Sequence, residues 1–496
     1  MPKINVLNRA TLPIALLTSA ALTACSYVEA VPSSSAVSSS IGTQQRFGDS
    51  RIQAVKDDIS ARIQGFINNR GVASVTIIAF TDKDVLWQQS FGYANVGAKL
   101  KASHETVYNT GSTFKIVIVT AIMQLVEAGR LDLDLPVNRH LTRPINDFSG
   151  QGAPLTLRHM LSHHAGLPPS RPVPDWDIWS RASPPSTEEQ IADLTAVALP
   201  GREYDYCNIC FPLYAEVIEK ATSMSLERYL RENILVPIGA KYTEPLYPDA
   251  QMVENMALPY EQIGNKPFPM PQKFLESWMA GDAYQRPLDF VTFLRVFLNE
   301  GKTEGVQLLS SETVASMFVT QFDSDVSLGF ISEVQNGRHV LWWDGGIYGG
   351  SAVYHLEPVA GIGVYIASNS NMTTDELHVL ARRTRDLLFG TASPSEAKFT
   401  ALDEPPQVEM PRQELARFAG TYELEEADVS LRVDILNNHL ALTNPAGKRF
   451  DIVLTSPHEG VLVGPRENIR FTTDDEGVAI GLHIGQEVGT YFLKAD

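Results

Sequence analysis

The chain has 496 residues, a formal net charge of −18, and 44% hydrophobic and 20% charged residues, an ordinary globular balance. It is long enough for more than one domain and can build a large core. The negative charge argues against a nucleic-acid partner, which requires a basic face, and it favours a soluble, self-repelling surface.

The first segment in chain order is typical of a targeting sequence. Lys3 and Arg9 make a positive start and precede an apolar run, TLPIALLTSAAL, which has signal-peptide length and is too short to span a bilayer. The run ends in LTAC, which resembles a bacterial lipobox. We therefore expect residues 1–24 to be a signal peptide and Cys25 to be lipidated. An ordinary signal peptide cut near the same place is the alternative.

Residues 25–50 are rich in serine and predict a flexible tether behind the lipid anchor. The protein would then be attached to a membrane of the bacterial cell envelope and face the periplasm. Ser26, which follows the cysteine, favours the outer over the inner membrane.

The body of the chain, residues 51–390, has strand and helix patterns at both ends of a mostly helical middle, residues 112–300. The periodicity predicts helices over 51–69 and 373–389, and strands over 73–80, 84–94, 327–334, 338–346, 350–358 and 361–369. This order predicts an α+β fold, an antiparallel sheet flanked by helices with an all-α lobe.

A Pro-rich linker, residues 391–411, precedes a C-terminal module. Residues 412–496 consist of short β segments with turn signals, which predict a small antiparallel barrel or sandwich. The module has no candidate pair of nucleophile and base, so we expect the chemistry to lie in residues 51–390.

Two cysteines, Cys207 and Cys210, form a C-x-x-C motif. A redox function would need a thioredoxin-like context, and a zinc site would need four ligands. Neither is present, so we expect packing or a local disulfide here, no metal site, and no cofactor.

The stretch GSTFKIVIVTAIMQLVEAG places Ser112 and Lys115 on one helix face at the head of an apolar run. A buried ammonium is costly unless it is paired or its pKa falls. A lysine with a lowered pKa can take the proton of the serine as a general base. A capping serine followed by a lysine that reaches solvent is the alternative interpretation.

A second motif, Y-x-N, is formed by Tyr206 and Asn208 directly before a predicted helix. A neighbouring cation would lower the pKa of the phenol and make Tyr206 a proton shuttle. Asn208 could hydrogen-bond the lysine or a substrate amide.

These motifs, with LTLRHMLSHHAGLP at 155–168 and WWDGGIYGGSAVYHLEP at 342–358, resemble in type and order the serine β-lactamase-related superfamily. That superfamily includes class C β-lactamases, D-Ala-D-Ala carboxypeptidases and β-lactamase-fold esterases. The resemblance covers about residues 50–390 and implies a sheet of the β-lactamase and penicillin-binding-protein type. The C-terminal module is similar to the lipocalin-like tail of many such proteins.

The resemblance implies that Ser112 is the acylated nucleophile and that Lys115 and Tyr206 share the general-base work. It also implies a substrate-binding role for Asn208 and for the DGG motif, Asp344, Gly345 and Gly346. The oxyanion hole would consist of the backbone N–H groups of Ser112 and Ile347. His163 and His164 belong to a family element that we interpret as structural.

One position departs from the family pattern. The family usually has a lysine or histidine where this chain has Asp344, and a cation there would bind a substrate carboxylate, which Asp344 would repel. We therefore expect a serine hydrolase of small-molecule or peptide substrates, either neutral esters or cationic amides and peptides. The alternatives are a slow hydrolase, a β-lactamase or D-Ala-D-Ala carboxypeptidase, and a non-catalytic cell-wall-binding lipoprotein.

Overall fold

The computed structural model describes residues 47–146, 154–168, 191–192, 194–240, 243–245, 254–263, 265–270, 278–347, 349–371, 374–392, 408–424, 429–444, 449–462, 468–474, 476–484 and 490–495. Cys25, the predicted signal peptide, and most of the predicted tether and linker lie outside these residues, so those assignments stay predictions. In the described part of the chain, no helix combines the length and apolar character needed to cross a membrane.

The larger domain mixes helices and strands. Its described α-helices are α1 (Asp49–Arg70), α2 (Lys115–Glu127), α3 (Leu157–Leu161), α4 (Cys210–Thr222), α5 (Leu226–Leu230), α6 (Pro287–Leu294), α7 (Ser311–Met317) and α8 (Thr374–Phe389). Short 3₁₀ helices cover Gly111–Phe114, Val137–His140, Trp278–Ala280 and Arg295–Phe297, and a π turn covers Arg231–Leu235. Its strands are β1 (Ser74–Thr81), β2 (Val85–Asn95), β3 (Leu100–Lys101), β4 (Tyr108–Asn109), β5 (Thr243–Pro245), β6 (Tyr260–Ile263), β7 (Lys266–Pro269), β8 (Ala283–Gln285), β9 (Lys302–Thr303), β10 (Val306–Gln307), β11 (Ile331–Gln335), β12 (Arg338–Ile347), β13 (Gly350–Glu357) and β14 (Ile362–Ser368).

The central sheet has seven strands in the order β11-β12-β13-β14-β1-β2-β3, and neighbouring strands are antiparallel. Strands β1, β13 and β14 are buried along their whole length because both sheet faces are covered. In β1, Ile78 and Phe80 face a core shared with α2 and α4, whereas Ile77 and Ala79 face a core shared with α1 and α8. The predicted α+β fold with an antiparallel sheet is confirmed.

The middle of the chain is less helical than its composition indicates. Strands β4, β8 and β5 form a small three-stranded sheet, and β6 and β7 form a hairpin. Prolines at 267 and 269 lie in this hairpin. Proline removes a helix hydrogen-bond donor and clashes with the preceding turn, so this part of the chain cannot continue as a helix.

The C-terminal module is a closed antiparallel barrel, which decides between the barrel and the sandwich. A short helix, α9 (Arg412–Leu415), leads into it, and its strands are β15 (Gly420–Leu424), β16 (Val429–Leu436), β17 (His439–Thr443), β18 (Arg449–Leu454), β19 (Glu459–Leu462), β20 (Asn468–Thr473), β21 (Ala479–Ile484) and β22 (Thr490–Lys494). The barrel has its own apolar core, which includes Tyr422, Leu442 and Phe471. It meets the larger domain where Met270, just after the β6–β7 hairpin, packs against Val453.

A chain that ends at residue 395 should retain most of the hydrolase activity expected for the larger domain. The barrel has a separate core, and Met270, which it contacts, lies outside the strands of the central sheet. Turnover of p-nitrophenyl acetate by the shortened and full chains, compared at equal folded content by circular dichroism, checks this. Loss of turnover with the larger domain still folded would show that the barrel contributes to the cleft.

Candidate active site

The serine of the S-x-x-K motif lies in the 3₁₀ turn Gly111–Phe114, which runs directly into α2. Gly111 has a φ of 57°, which a residue with a side chain rarely adopts. A Cβ on Gly111 would lie 2.9 Å from the nitrogen of Gly346 on β12. Glycine is therefore required here both by the turn and by the close approach of the sheet, and together they fix the position of Ser112.

Lys115 is 3% exposed and begins a helix whose residues are nearly all buried. Its Nζ lies 2.8 Å from Ser112 Oγ and also contacts the carbonyl oxygen of Ala280. Two aromatic rings cover the same nitrogen, with centroids 5.0 Å away for Tyr206 and 4.8 Å away for Phe211. In the described part of the chain, no carboxylate forms an ion pair with Lys115.

Burial lowers the pKa of Lys115 well below its ordinary value, and the more distant charge of Asp344 only partly opposes this. A neutral amine has a lone pair that can accept the proton of the adjacent hydroxyl. The geometry and the lowered pKa fit the predicted role of Lys115 as a general base for Ser112.

Tyr206 reaches the same serine from the loop before α4. Burial raises the pKa of its phenol above the ordinary value, a hydrogen bond with Ser112 opposes that rise, and Asp344 adds to it. The phenol is therefore protonated at neutral pH. It can donate a proton near Ser112, but the sequence-based expectation of a tyrosinate beside a cation does not fit, because Lys115 itself is held neutral.

The ring of Tyr206 is fixed by two aromatic neighbours. The His163 ring lies 4.8 Å from Tyr206 and stacks on Trp343 at 5.3 Å, as measured between centroids. Burial, together with smaller contributions from Lys115 and His164, lowers the pKa of His163 to about 3. Its Nδ1 accepts the backbone N–H of Cys207 at 3.0 Å. His163 is thus a neutral packing residue, as the structural interpretation of this element expected.

The loop that carries the Y-x-N motif is closed by a disulfide between Cys207 and Cys210, so the local-disulfide expectation is confirmed. Asn208 lies inside this loop, and its backbone oxygen accepts the N–H of Phe211. Its partly exposed side chain has no protein hydrogen-bond partner among the described residues, which leaves the amide available to a substrate.

Strand β12 presents alternate residues to opposite faces of the sheet. Trp343 packs into the core shared with α2, and Gly345 lies on the same face, where a Cβ would come within 2.7 Å of the Ser112 nitrogen. Asp344 consequently lies on the other face, where its Oδ2 is 3.3 Å from His378 Nε2 on α8. The expectation that the side chain at 344 faces the nucleophile is thereby corrected: Trp343 occupies that side, and the Asp344 carboxylate lies at the sheet edge, 38% exposed.

The register of β12 also decides which backbone N–H can face the nucleophile. Ile347 is paired with Gly350 across a two-residue connection, and Gly346 is paired with Ser351. The two residues on either side of such a connection hydrogen-bond each other. From there, successive backbone N–H groups point alternately to one edge of the strand and to the other. The N–H of Ile347 therefore points to β13, whereas that of Gly346 points to the free edge beside Gly111, because β11 ends opposite Trp342. The register therefore leaves the N–H of Gly346, and not the predicted N–H of Ile347, free to serve as a second oxyanion donor.

Several contributors to the site were not found from the sequence. Trp343 comes one residue before Asp344, the residue expected to face the nucleophile. A shift of one residue along a strand moves a side chain to the opposite face of the sheet. Ala280 contributes only its backbone oxygen, which carries no side-chain signal. His378 comes from α8, whose pattern indicated packing alone.

The chain is similar to several known proteins. The family model described as Beta-lactamase matches residues 59–389. Protein flp from Staphylococcus aureus (strain MW2) is 23% identical over 326 residues, and the match covers 64% of this chain and 63% of that relative's length.

Among solved structures, the chain is similar to the octameric penicillin-binding protein homologue from Pyrococcus abyssi, with a TM-score of 0.57, 22% identity, and coverage of 89% of this chain and 99% of the other. It is also similar to EstCE1, a hydrolase with promiscuous acyltransferase activity, with a TM-score of 0.56, 22% identity, and coverage of 68% and 99%. At these identities the likeness shows a common fold.

Gly345→Ala should slow acylation of Ser112 by about a hundredfold or more, because its Cβ would meet backbone atoms of Thr110, Ser112 and Thr113. A displacement of about 1 Å at a reacting centre can cost that much. Gly97→Ala is the control, because its Cβ would make only an ordinary contact, 3.6 Å from Asn95 Oδ1.

The measurement is the rate of labelling by a fluorophosphonate probe, with the melting temperature as a check on folding. Similar rates for the two folded variants would contradict the close contact between β12 and the nucleophile turn.

Proposed function

Because the chain belongs to the beta-lactamase family, whose model matches residues 59–389, we propose that it is a serine hydrolase that works through an acyl-enzyme on Ser112. The observation that carries this proposal is the pair of Lys115 Nζ and Ser112 Oγ, 2.8 Å apart, with the lysine buried and not paired to a carboxylate in the described residues. A protein that only binds cell wall would have no use for such a lysine.

Acylation begins when neutral Lys115 takes the proton of Ser112 Oγ as the oxygen attacks the substrate carbonyl. The N–H groups of Ser112 and Gly346 stabilise the negative charge that develops on the carbonyl oxygen. Tyr206, a protonated phenol, donates its proton to the leaving group and recovers one from Lys115. Deacylation uses the same groups in reverse order, with water as the nucleophile.

The charge of the cleft favours esters and amides without a carboxylate beside the scissile bond. Asp344 is an anion at the edge of β12, and Lys115 is held neutral, so no described side chain near Ser112 offers a carboxylate a cationic partner. A carboxylate at about 4 Å from Asp344 would be repelled by roughly 4 kcal/mol at an effective dielectric of about 20. This argues against β-lactams and D-Ala-D-Ala peptides as the main substrates. β-Lactamase or D-Ala-D-Ala carboxypeptidase activity is therefore only the second candidate function. EstCE1, one of the similar structures, is described as a hydrolase.

Ser112→Ala and Lys115→Met should each lower kcat for p-nitrophenyl acetate by at least about 10³, because nucleophile and base act as one unit. The chain provides a control, since Ser395 and Lys398 form a second S-x-x-K in the predicted linker. Ser395→Ala and Lys398→Met should leave kcat within a few-fold of wild type. Mass spectrometry of the acylated protein should find the adduct on Ser112. If folded Lys115→Met kept most of the activity, another base would be required.

A further inference from the structure

A row of three side chains connects the cleft edge to the buried interior of the sheet. Asp344 Oδ2 lies 3.3 Å from His378 Nε2, and His378 Nδ1 lies 2.7 Å from His355 Nε2. His355 lies on β13 and is fully buried, while the edge of the Trp342 ring packs on His378 with centroids 4.5 Å apart. The acylation mechanism uses none of these three side chains.

The surroundings of His355 determine which atoms donate and which accept in the hydrogen bonds of this row. Burial lowers the pKa of His355 well below its ordinary value, and the charges of Arg385, His378 and Arg382 act in the same direction. Its Nδ1 has no hydrogen-bond partner in the described part of the chain, so a proton there would be buried without an acceptor. The proton therefore resides on Nε2 and is donated to His378 Nδ1. The Nε2–H of His378 is then donated to Asp344.

This arrangement holds the Asp344 carboxylate in place. The imidazole of His378 donates to Oδ2, and Oδ1 has no hydrogen-bond partner among the described residues. The space beside it is open, because a Cβ on Gly346, which lies on the same face of β12, would meet nothing within 4 Å. Asp344 adjoins Gly345, which touches the backbone of Ser112. An oriented anion thus lies at an open position on the strand that contacts Ser112, with room for a ligand.

Tyr204 precedes the Y-x-N motif in the loop before α4, and its ring forms T-shaped contacts with the rings of His163 and His164. Tyr204 is about half exposed. Partial burial raises the pKa of its phenol, and the charge of Asp344 adds to the rise. A carboxylate and an exposed aromatic ring are the two groups that attract an organic ammonium most effectively in proteins.

We propose that Asp344, positioned by His378 and His355, binds the ammonium group of the substrate, so that the protein prefers esters and amides of amino compounds to neutral or anionic ones. The proposal rests on the hydrolase function of the same cleft. His378 and His355 are positioning residues, because His378 contacts the carboxylate, His355 contacts His378, and neither contacts the ligand.

The direct test is the binding of three probes of equal size, n-butylammonium, n-butanol and butyrate, followed by saturation-transfer NMR at neutral pH. The wild type should bind butylammonium at least about tenfold more tightly than butanol and butyrate most weakly. Asp344→Asn should reduce the advantage of the ammonium at least about fivefold. Asp57→Asn, which removes one carboxylate from the exposed surface of α1, should not change it. Equal binding of the three probes, or an ammonium preference that survives in Asp344→Asn, would overturn the proposal.

Hydrolysis separates this proposal from the proposed function. Alanine p-nitroanilide, tested as both enantiomers, should be cleaved with a kcat/KM at least about tenfold above that of its N-acetyl derivative, and Asp344→Asn should remove most of this difference. If neither Ser112 labelling nor turnover were found while butylammonium still bound, the hydrolase function would fail and the ammonium site would stand. If p-nitrophenyl acetate were turned over without any preference for amines, the hydrolase function would stand and the ammonium site would fail.

The positioning role of His378 can be tested separately. His378→Ala should weaken butylammonium binding several-fold, and His378→Gln should restore part of it, because its side-chain amide can also donate to Asp344. The effect should appear in KM for the amino substrate and much less in kcat for p-nitrophenyl acetate. Identical binding by the alanine and glutamine variants would mean that His378 does not orient Asp344.

Discussion

The interaction on which the rest of the site depends is the contact between a buried lysine amine and a serine hydroxyl. Lys115 lies in an apolar core with an aromatic ring on two sides and a backbone carbonyl as its other hydrogen-bond partner. A charged ammonium in this position would lose its hydration without gaining a counter-ion, so the neutral form is favoured. The groups closest to it follow the same rule: Tyr206 keeps its proton, and His163 is neutral.

A second constraint brings the two halves of the domain together at this point. The backbone of β12 contacts the turn that carries Ser112, which requires Gly345 on one side and Gly111 on the other. Gly281, next to the carbonyl of Ala280, approaches the same turn, and its Cβ would lie 3.0 Å from the Ser112 nitrogen. Side chains at these three positions would separate sheet, lobe and nucleophile. The glycines thus allow the sheet, the lobe and the turn that carries Ser112 to pack in direct backbone contact.

Much of this architecture was predictable. The strands and terminal helices of the larger domain follow from periodicity, because the sheet faces are apolar, and Lys115 was identified because a lysine contradicts the apolar helix around it. The short strands between α5 and α6 were not predicted, since they depend on pairings distant in sequence. The sheet face to which the Asp344 side chain points was not predictable either, because motif alignment alone does not determine which residue of a strand faces the core. His355 and His378 lie 23 residues apart on different elements, and only the packing of α8 on the sheet brings them together.

The most direct measurement for the central claim is the pH dependence of Ser112 acylation by a fluorophosphonate probe. The rate requires the neutral form of Lys115, so it should rise with pH through the lowered pKa and be fully developed below the ordinary lysine value of 10.5. Because the charge of Asp344 raises this pKa, Asp344→Asn should move the rise to lower pH. A rise centred near the ordinary lysine value, or a profile that persists unchanged in Lys115→Met, would contradict the claim that a neutral buried lysine activates the serine.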